Sequence, residues 1–317
     1  MVYRQTLWDE FRNRNLSRRQ FLKACCVLSG ILGLSPAAVP ELTAFAEKQP
    51  LPSIIWLHGH ECTGCSEAFL RSEKPLAVDV LLTAVSLEYD ALLSAASGRS
   101  LEYHRKKIEQ DLPGEYLVVA EGAVPLAEEG CACVIGGIPY VQLLKTVVKD
   151  AAAVIAIGTC ASWGGIQAAR PNPTQSVPIH QVVTDKPIIK IPGCPPIPEI
   201  LAGVITHYAL FGQLPTVDRQ GRPTRFFGNT IHDTCCRKPF FEAGQFVETY
   251  DDAGAKAGWC LFKMGCRGPE AFNSCAGMRW WQGLSYPVQA GSPCFGCAME
   301  GVWDSDPFTK PVADLEG

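Results

Sequence analysis

Apolar residues along this chain are patterned in its first two thirds and lose their pattern in the last third. Runs at Ile54–Leu57, Val80–Val85, Leu117–Ala120, Val154–Ile157 and Ile188–Ile191 are short and rich in branched side chains. Between them, apolar positions recur at helical spacing. A strand with one wet face alternates apolar and polar residues; these runs do not alternate, so both faces should be covered. The pattern predicts an α/β fold with a parallel sheet between helices. Beyond about Gln213 the periodicity stops. Leu214 to Pro223 reads as a linker, and the remainder of the chain is rich in Gly, Pro, Cys and Trp. The expected organisation is a sheet domain over 47–213 and an irregular domain over 214–317.

The first 46 residues read as an address rather than a fold. Ser17-Arg18-Arg19-Gln20-Phe21-Leu22-Lys23 is a twin-arginine signature, followed by a moderately apolar stretch from Ala24 to Val39. Ala44-Phe45-Ala46 offers a small-x-small cleavage site. The apolar stretch is shorter than the roughly 20 residues that span a bilayer and is broken by Pro36 and Pro40. The expectation is export by the twin-arginine route to the periplasm, with membrane association only through partners.

With 317 residues, 47% of them hydrophobic, the chain can bury one good core and a second, smaller unit. A net charge of −4 gives no concentrated basic surface, so no nucleic-acid partner is expected. Fifteen cysteines demand a chemical explanation.

Cys25 and Cys26 lie in the address segment, which leaves thirteen. Ten of these, with one histidine, sort by position into three sets. The first is Cys62, Cys65, Cys160 and Cys194; the second is His232, Cys235, Cys260 and Cys266; the third is Cys275, Cys294 and Cys297. Sets of four and three soft ligands are what cubic iron–sulfur clusters take, complete or one iron short. Structural zinc uses similar sets, and an exported chain admits disulfides. An odd count, and C-x-x-C pairs beside Gly and Pro, weigh against disulfides. A route that carries folded, cofactor-loaded chains out of a reducing compartment agrees with clusters.

The first set follows the carboxyl ends of three predicted strands, where loops of a doubly wound sheet converge on ligands. Gly64, Gly158, Gly164, Gly165 and Gly193 would let the backbone approach the sulfurs, or serve simply as turns. Phe226, Phe227, Phe240, Phe241, Trp259, Phe262, Trp280 and Trp281 would shield clusters from water or form an ordinary aromatic core.

Eight motifs in order carry a resemblance. E-C-T-G-C-S-E, G-T-C-A-S-W-G-G-I-Q-A-A, P-N-P-T, P-G-C-P-P, R-P-x-x-F-F-G, I-H-D-x-C, G-W-C-L-F-K-M-G-C-R-G-P and P-V-Q-A-G-S-P-C-F-G-C run from Glu61 to Cys297, and the likeness they carry extends from about Pro52 to Phe308. Together the chain resembles the small subunit of exported, uptake-type nickel–iron hydrogenases. The resemblance implies a flavodoxin-like first domain and an electron-transfer role beside a large subunit that holds the nickel–iron centre. It implies a proximal 4Fe–4S cluster on Cys62, Cys65, Cys160 and Cys194, and a distal 4Fe–4S cluster on His232, Cys235, Cys260 and Cys266. A medial 3Fe–4S cluster would lie on Cys275, Cys294 and Cys297. Electrons from dihydrogen would leave for a cytochrome or another acceptor protein.

The resemblance also marks Glu61 for proton movement at the subunit interface, against a purely structural, hydrogen-bonded carboxylate. Oxygen-tolerant members carry extra cysteines at the positions of Gly64 and Gly165, so an ordinary, oxygen-sensitive proximal cluster is expected. Pro287 stands where some relatives carry a fourth medial thiolate. No apolar run follows Asp304-Ser305-Asp306-Pro307-Phe308, so no carboxyl-terminal membrane helix is expected. Cys131 and Cys133 are spaced to share one face of a strand as buried, inert thiols, and Cys236 has no assigned role.

Overall fold

Strands alternate with helices across the first two thirds of the chain, as the apolar runs require. The computed structural model describes residues 6–305 apart from 14, 16, 32–34, 36, 38, 49, 74, 281 and 282. Its strands are β1 (Ser53–His58), β2 (Ser86–Tyr89), β3 (Tyr116–Glu121), β4 (Val134–Ile135), β5 (Ile138–Pro139), β6 (Ala153–Ile157) and β7 (Ile188–Ile191). Five form one parallel sheet in the order β2-β1-β3-β6-β7, and β4 and β5 make a small antiparallel hairpin. Order reverses between β1 and β3, the doubly wound, flavodoxin-like arrangement whose ligand crevice lies outside the carboxyl ends of the strands.

Helices α1 (Leu7–Asn13), α2 (Arg18–Ile31) and α3 (Val39–Ala46) precede the sheet. Interleaved with it are α4 (Gly64–Leu70), α5 (Ala77–Asp79), α6 (Gly98–Asp111), α7 (Tyr140–Lys149), α8 (Gly158–Trp163) and α9 (Pro198–Phe211). Successive strand residues point to opposite faces. Ile55, Leu57, Val118, Ala120, Val154 and Ala156 meet Leu101 and Ile108 of α6 and Leu143, Leu144 and Val147 of α7. Ile54, Trp56, Leu117, Val119, Ile155 and Ile157 meet Phe69 of α4 and Ile200, Leu201 and Val204 of α9.

One expected strand is not a strand. Val80–Ala84 continues α5 as a π-helical turn, and β2 begins only at Ser86. Val80 and Ala84 are buried against the sheet, so the run is apolar because it is core. A short apolar run does not by itself separate buried helix from buried strand. The true strand lies at the sheet edge, and its half-buried Ser86, Leu87 and Glu88 tolerate polar character.

The last third has short helices only: α10 (Thr224–Phe227), α11 (Lys238–Glu242), α12 (Ala253–Ala257) and α13 (Cys275–Met278). It packs on the far side of α9. Phe226, Phe227, Ile231, Val247, Leu261, Tyr286 and Val288 belong to the same apolar cluster as the sheet. A Cβ added at Gly203 of α9 would stand 3.0 Å from Phe226 Cζ, so a bare glycine lets this ring approach. The expected linker is itself ordered: Asp218 to Arg222 make a tight turn, and the Arg222 guanidinium pairs with Asp218 at 2.7 Å and lies over the Phe272 ring. At the amino end, Leu7, Phe21 and Cys25 pack with Leu51 and Leu210.

Candidate metal centres

The first set converges at the carboxyl edge of the sheet. Cys62 lies in the turn after β1, Cys65 in the first turn of α4, Cys160 in the first turn of α8 after β6, and Cys194 just beyond β7. Gly158 links β6 to α8 at φ 82°, and a Cβ there would collide with Cys65 Sγ. A Cβ on Gly165 would stand 2.5 Å from Cys160 Sγ. These glycines have a packing reason besides conformational freedom. Burial pushes the Cys65 thiol well above its ordinary value, and nearby Glu121, Cys160, Cys194 and Cys62 add to the rise. Burial likewise pushes Cys160 up to about 12. Thiolates gathered this way repel one another unless a cationic centre holds them.

Behind this set is a buried acid network. Glu121, at the end of β3, is 1% exposed. It accepts from Cys65 N–H at 3.0 Å, Ser66 Oγ at 2.5 Å and Trp56 Nε1 at 3.3 Å. His58 Nε2 lies 3.3 Å from Asp90, and its Nδ1 lies 3.4 Å from Glu61 and 3.8 Å from Glu121. Burial alone would lower the imidazole, but Asp90, Glu61 and Glu121 together raise it to about 9. His58 is therefore a buried cation among three carboxylates. Glu61 accepts from Thr63 Oγ1 at 3.3 Å through Oε1, while its Oε2 is buried without a hydrogen bond. Of this network only Glu61 stands out in the sequence. The signal for Glu121 is a lone charge closing an otherwise apolar strand.

The second set lines one small pocket, which His232, Cys235, Cys260 and Cys266 share with Arg237 and Phe262 among its other walls. His232 packs edge-on against Phe241, ring centroids 4.7 Å apart, and Phe241 meets Phe246 and Phe262 in turn. Burial, then Lys238, lowers the imidazole below its ordinary value. It is thus neutral and able to ligate iron at working pH. Three thiols and an imidazole are a soft donor set of the kind that iron–sulfur clusters take.

In the third set Cys275 and Cys294 are buried and Cys297 is half-buried. Burial pushes Cys275 up to about 12 and Cys297 up to about 11. Thr159 Oγ1, beside Cys160, donates to the Cys297 carbonyl and accepts from Gly193 N–H, beside Cys194, at 3.0 Å. Trp163 Nε1 reaches the Ala298 carbonyl at 3.1 Å. On the other side, Cys294 N–H donates to Cys266 Sγ at 3.3 Å. Hydrogen bonds thus join the loops of the first set to the third set, and the third set to the second.

Three sequence expectations change or gain detail. Cys131 and Cys133 occupy a turn before β4, with Cys131 exposed and Cys133 half-buried, so they do not share a strand face. The turn follows Glu128 and Glu129, both left-handed, which breaks extended backbone there. Pro287 is exposed between buried Tyr286 and Val288. Among the shielding aromatics, Phe226 and Phe227 are core and Phe241 and Phe262 flank His232; Trp281 lies outside the described residues. No group of three or more His, Cys, Asp or Glu side chains among the described residues is placed to hold a single metal ion.

Two family models match the two regions. Residues 62–208 match the NADH ubiquinone oxidoreductase 20 kDa subunit, and residues 227–309 match the C-terminal family of NiFe/NiFeSe hydrogenase small subunits. The chain is 52% identical to the uptake hydrogenase small subunit of Azotobacter vinelandii, over 98% of this chain and 87% of that one. It belongs to the nickel–iron hydrogenase small subunits. The Hydrogenase-1 small chain of Escherichia coli (strain K12) is 47% identical over 98% of this chain and 84% of its own. A NiFeSe hydrogenase structure from Desulfovibrio vulgaris Hildenborough superposes with a TM-score of 0.76 at 33% identity, covering 83% of this chain and 99% of that one. As a hydrogenase small subunit, the protein transfers electrons beside a large subunit that carries the nickel–iron centre.

Proposed function

We propose that Cys62, Cys65, Cys160 and Cys194 hold a proximal 4Fe–4S cluster, Cys275, Cys294 and Cys297 a medial 3Fe–4S cluster, and His232, Cys235, Cys260 and Cys266 a distal 4Fe–4S cluster. When bound, such clusters take up and release single electrons. The observation that carries this reading is the pair of links from Thr159, beside Cys160, to the Cys297 carbonyl and from Cys294 to Cys266, which supports the order proximal, medial, distal. The chain's own residues supply soft donors, amide N–H groups on the sulfurs and a dry apolar surround. Glu61, with one oxygen buried and unbonded, is a proton acceptor at the large-subunit face. Exposed Leu92, Leu93, Leu126 and Ile166 all follow carboxyl ends of strands and give that partner an apolar edge to cover.

The sheet unit spans 47–213 and the cluster-bearing unit 214–317. Arg18 and Arg19 direct export, so the protein works in the periplasm, and electrons pass from the His232 end to a cytochrome or another acceptor protein. Among the described residues no helix is long and apolar enough to cross a membrane, so membrane association would come through partners. Arg18→Lys with Arg19→Lys tests the export reading. Both subunits should then accumulate in the cytoplasm, because a folded pair travels on one signal; a large subunit still exported would contradict it.

A further inference from the structure

The hydroxyl of Tyr286 is fully engaged although the residue is 3% exposed and its ring belongs to the apolar core. Its Oη donates to Cys235 Sγ across 3.4 Å. The same oxygen accepts from Cys236 N–H at 3.4 Å and lies 3.5 Å from Cys236 Sγ. A phenol has one proton to donate and keeps it below about pH 10. The Cys236 amide fixes where the oxygen sits, which aims that proton at Cys235. The contact is held from outside as well. Arg237 Nε donates to the Val288 carbonyl at 2.8 Å and Arg237 Nη1 to the Trp259 carbonyl at 2.6 Å. These bonds clamp the Cys235–Arg237 turn onto the segment that carries Tyr286, and Arg237 N–H gives Cys235 Sγ a second donor at 3.4 Å.

We propose that Tyr286 is a positioning residue for electron exit, whose O–H···S bond to Cys235 raises the reduction potential of the distal cluster. The proposal rests on the ligand assignment above. Reduction adds negative charge to a cluster and its sulfurs, so a donor bonded to a ligand sulfur stabilises the reduced form more than the oxidised form. The site is buried, where such a bond is little screened. Only the difference in the strength of that bond between redox states counts. That difference corresponds to roughly a tenfold change in the reduction equilibrium, or about 59 mV for one electron. Tyr286 also adjoins Pro287 in the segment between Cys275 and Cys294, so the donor reaches the distal set from the stretch of chain that joins the medial ligands.

The test is a potentiometric titration of the purified hydrogenase, followed by electron paramagnetic resonance of its reduced four-iron clusters. The distal signal is identified as the one altered by His232→Cys. Tyr286→Phe keeps the ring and its packing and removes only the donor. It should lower the distal potential by about tenfold in equilibrium constant while leaving the other clusters unmoved. Cys236→Ala, at an exposed position, keeps the amide and removes only the Sγ that lies 3.5 Å from the hydroxyl; with one of its two supports gone, the hydroxyl should give a smaller shift of the same sign in the native background and none beside Tyr286→Phe. This second variant decides the matter if Tyr286→Phe does not assemble. A distal signal whose potential stays put in the variants that assemble overturns the role of Tyr286 alone. A protein with no four-iron signal sensitive to His232→Cys overturns the distal ligand set and this proposal together.

Discussion

The two halves of this molecule treat their thiols in opposite ways. In the sheet half, β3 and β6 are at most 1% exposed at every residue, and the cysteines are carried at one edge of a core that is complete without them. In the other half no helix among the described residues exceeds five residues, and Cys260, Cys266, Cys275 and Cys294 are themselves buried. Cys266, Cys275 and Cys294 sit in one apolar cluster with Leu261, Val288 and α9. One half positions its proposed metal ligands; in the other the proposed ligands are part of what must be held together. A small unit with little regular structure gains folding free energy directly from bound metal.

Paired ligand substitutions should expose this contrast most strongly. Cys266→Ser removes a donor from a residue 8% exposed, whereas Cys62→Ser removes one from an exposed turn. The first should raise protease cleavage within 224–305 by roughly a hundredfold or more, since metal binding there supplies several kcal/mol. The second should lose its cluster signal yet leave the cleavage pattern of the sheet half unchanged. Equal cleavage in both variants would erase the distinction.

A smaller effect tests whether the halves share α9. Phe227 is 1% exposed in the common apolar cluster, and Phe227→Ala should cost about 3–5 kcal/mol. Calorimetry should show the two halves losing stability together. A sheet transition left in place would make the halves independent.

The least effect comes from His58 and is confined to the sheet half. Its folded value of about 9 lies above the ordinary 6.5. The protonated form is therefore favoured by folding, and its contribution is complete below about pH 6.5. It fades as pH rises through about 9, and amounts to at most about 3 kcal/mol. Thermal inactivation should accelerate across that window in the native protein and less steeply in His58→Gln. Identical slopes would remove His58 from the charge balance.

The same contrast governs what could be read from sequence. Strands buried on both faces announce themselves as unbroken aliphatic runs, so β1, β3 and β6 were legible; β7, an edge strand with Lys190 half-buried, was legible from its three isoleucines. β2 was not, because an edge strand keeps polar residues while the neighbouring helical turn is apolar. The candidate ligands could be picked out because thiols at turn spacing have few other uses. What joins them was not. Tyr286 meets Cys235 across 51 residues and Glu121 meets Ser66 across 55, and neither carries a local pattern. The bond from Thr159 to the Cys297 carbonyl, across 138 residues, exists only once the second half has folded against the first.

Iron content measured with the electron paramagnetic resonance spectrum of the oxidised, purified complex tests the central claim most directly. Four, three and four soft donors in the three sets predict about eleven irons in the small subunit and an oxidised 3Fe–4S signal. The signal should disappear in Cys294→Ala. Because the nickel–iron centre of the large subunit adds one iron, the complex should hold about twelve; about thirteen with no oxidised signal would contradict the medial assignment, and a colourless protein containing zinc would contradict the account as a whole.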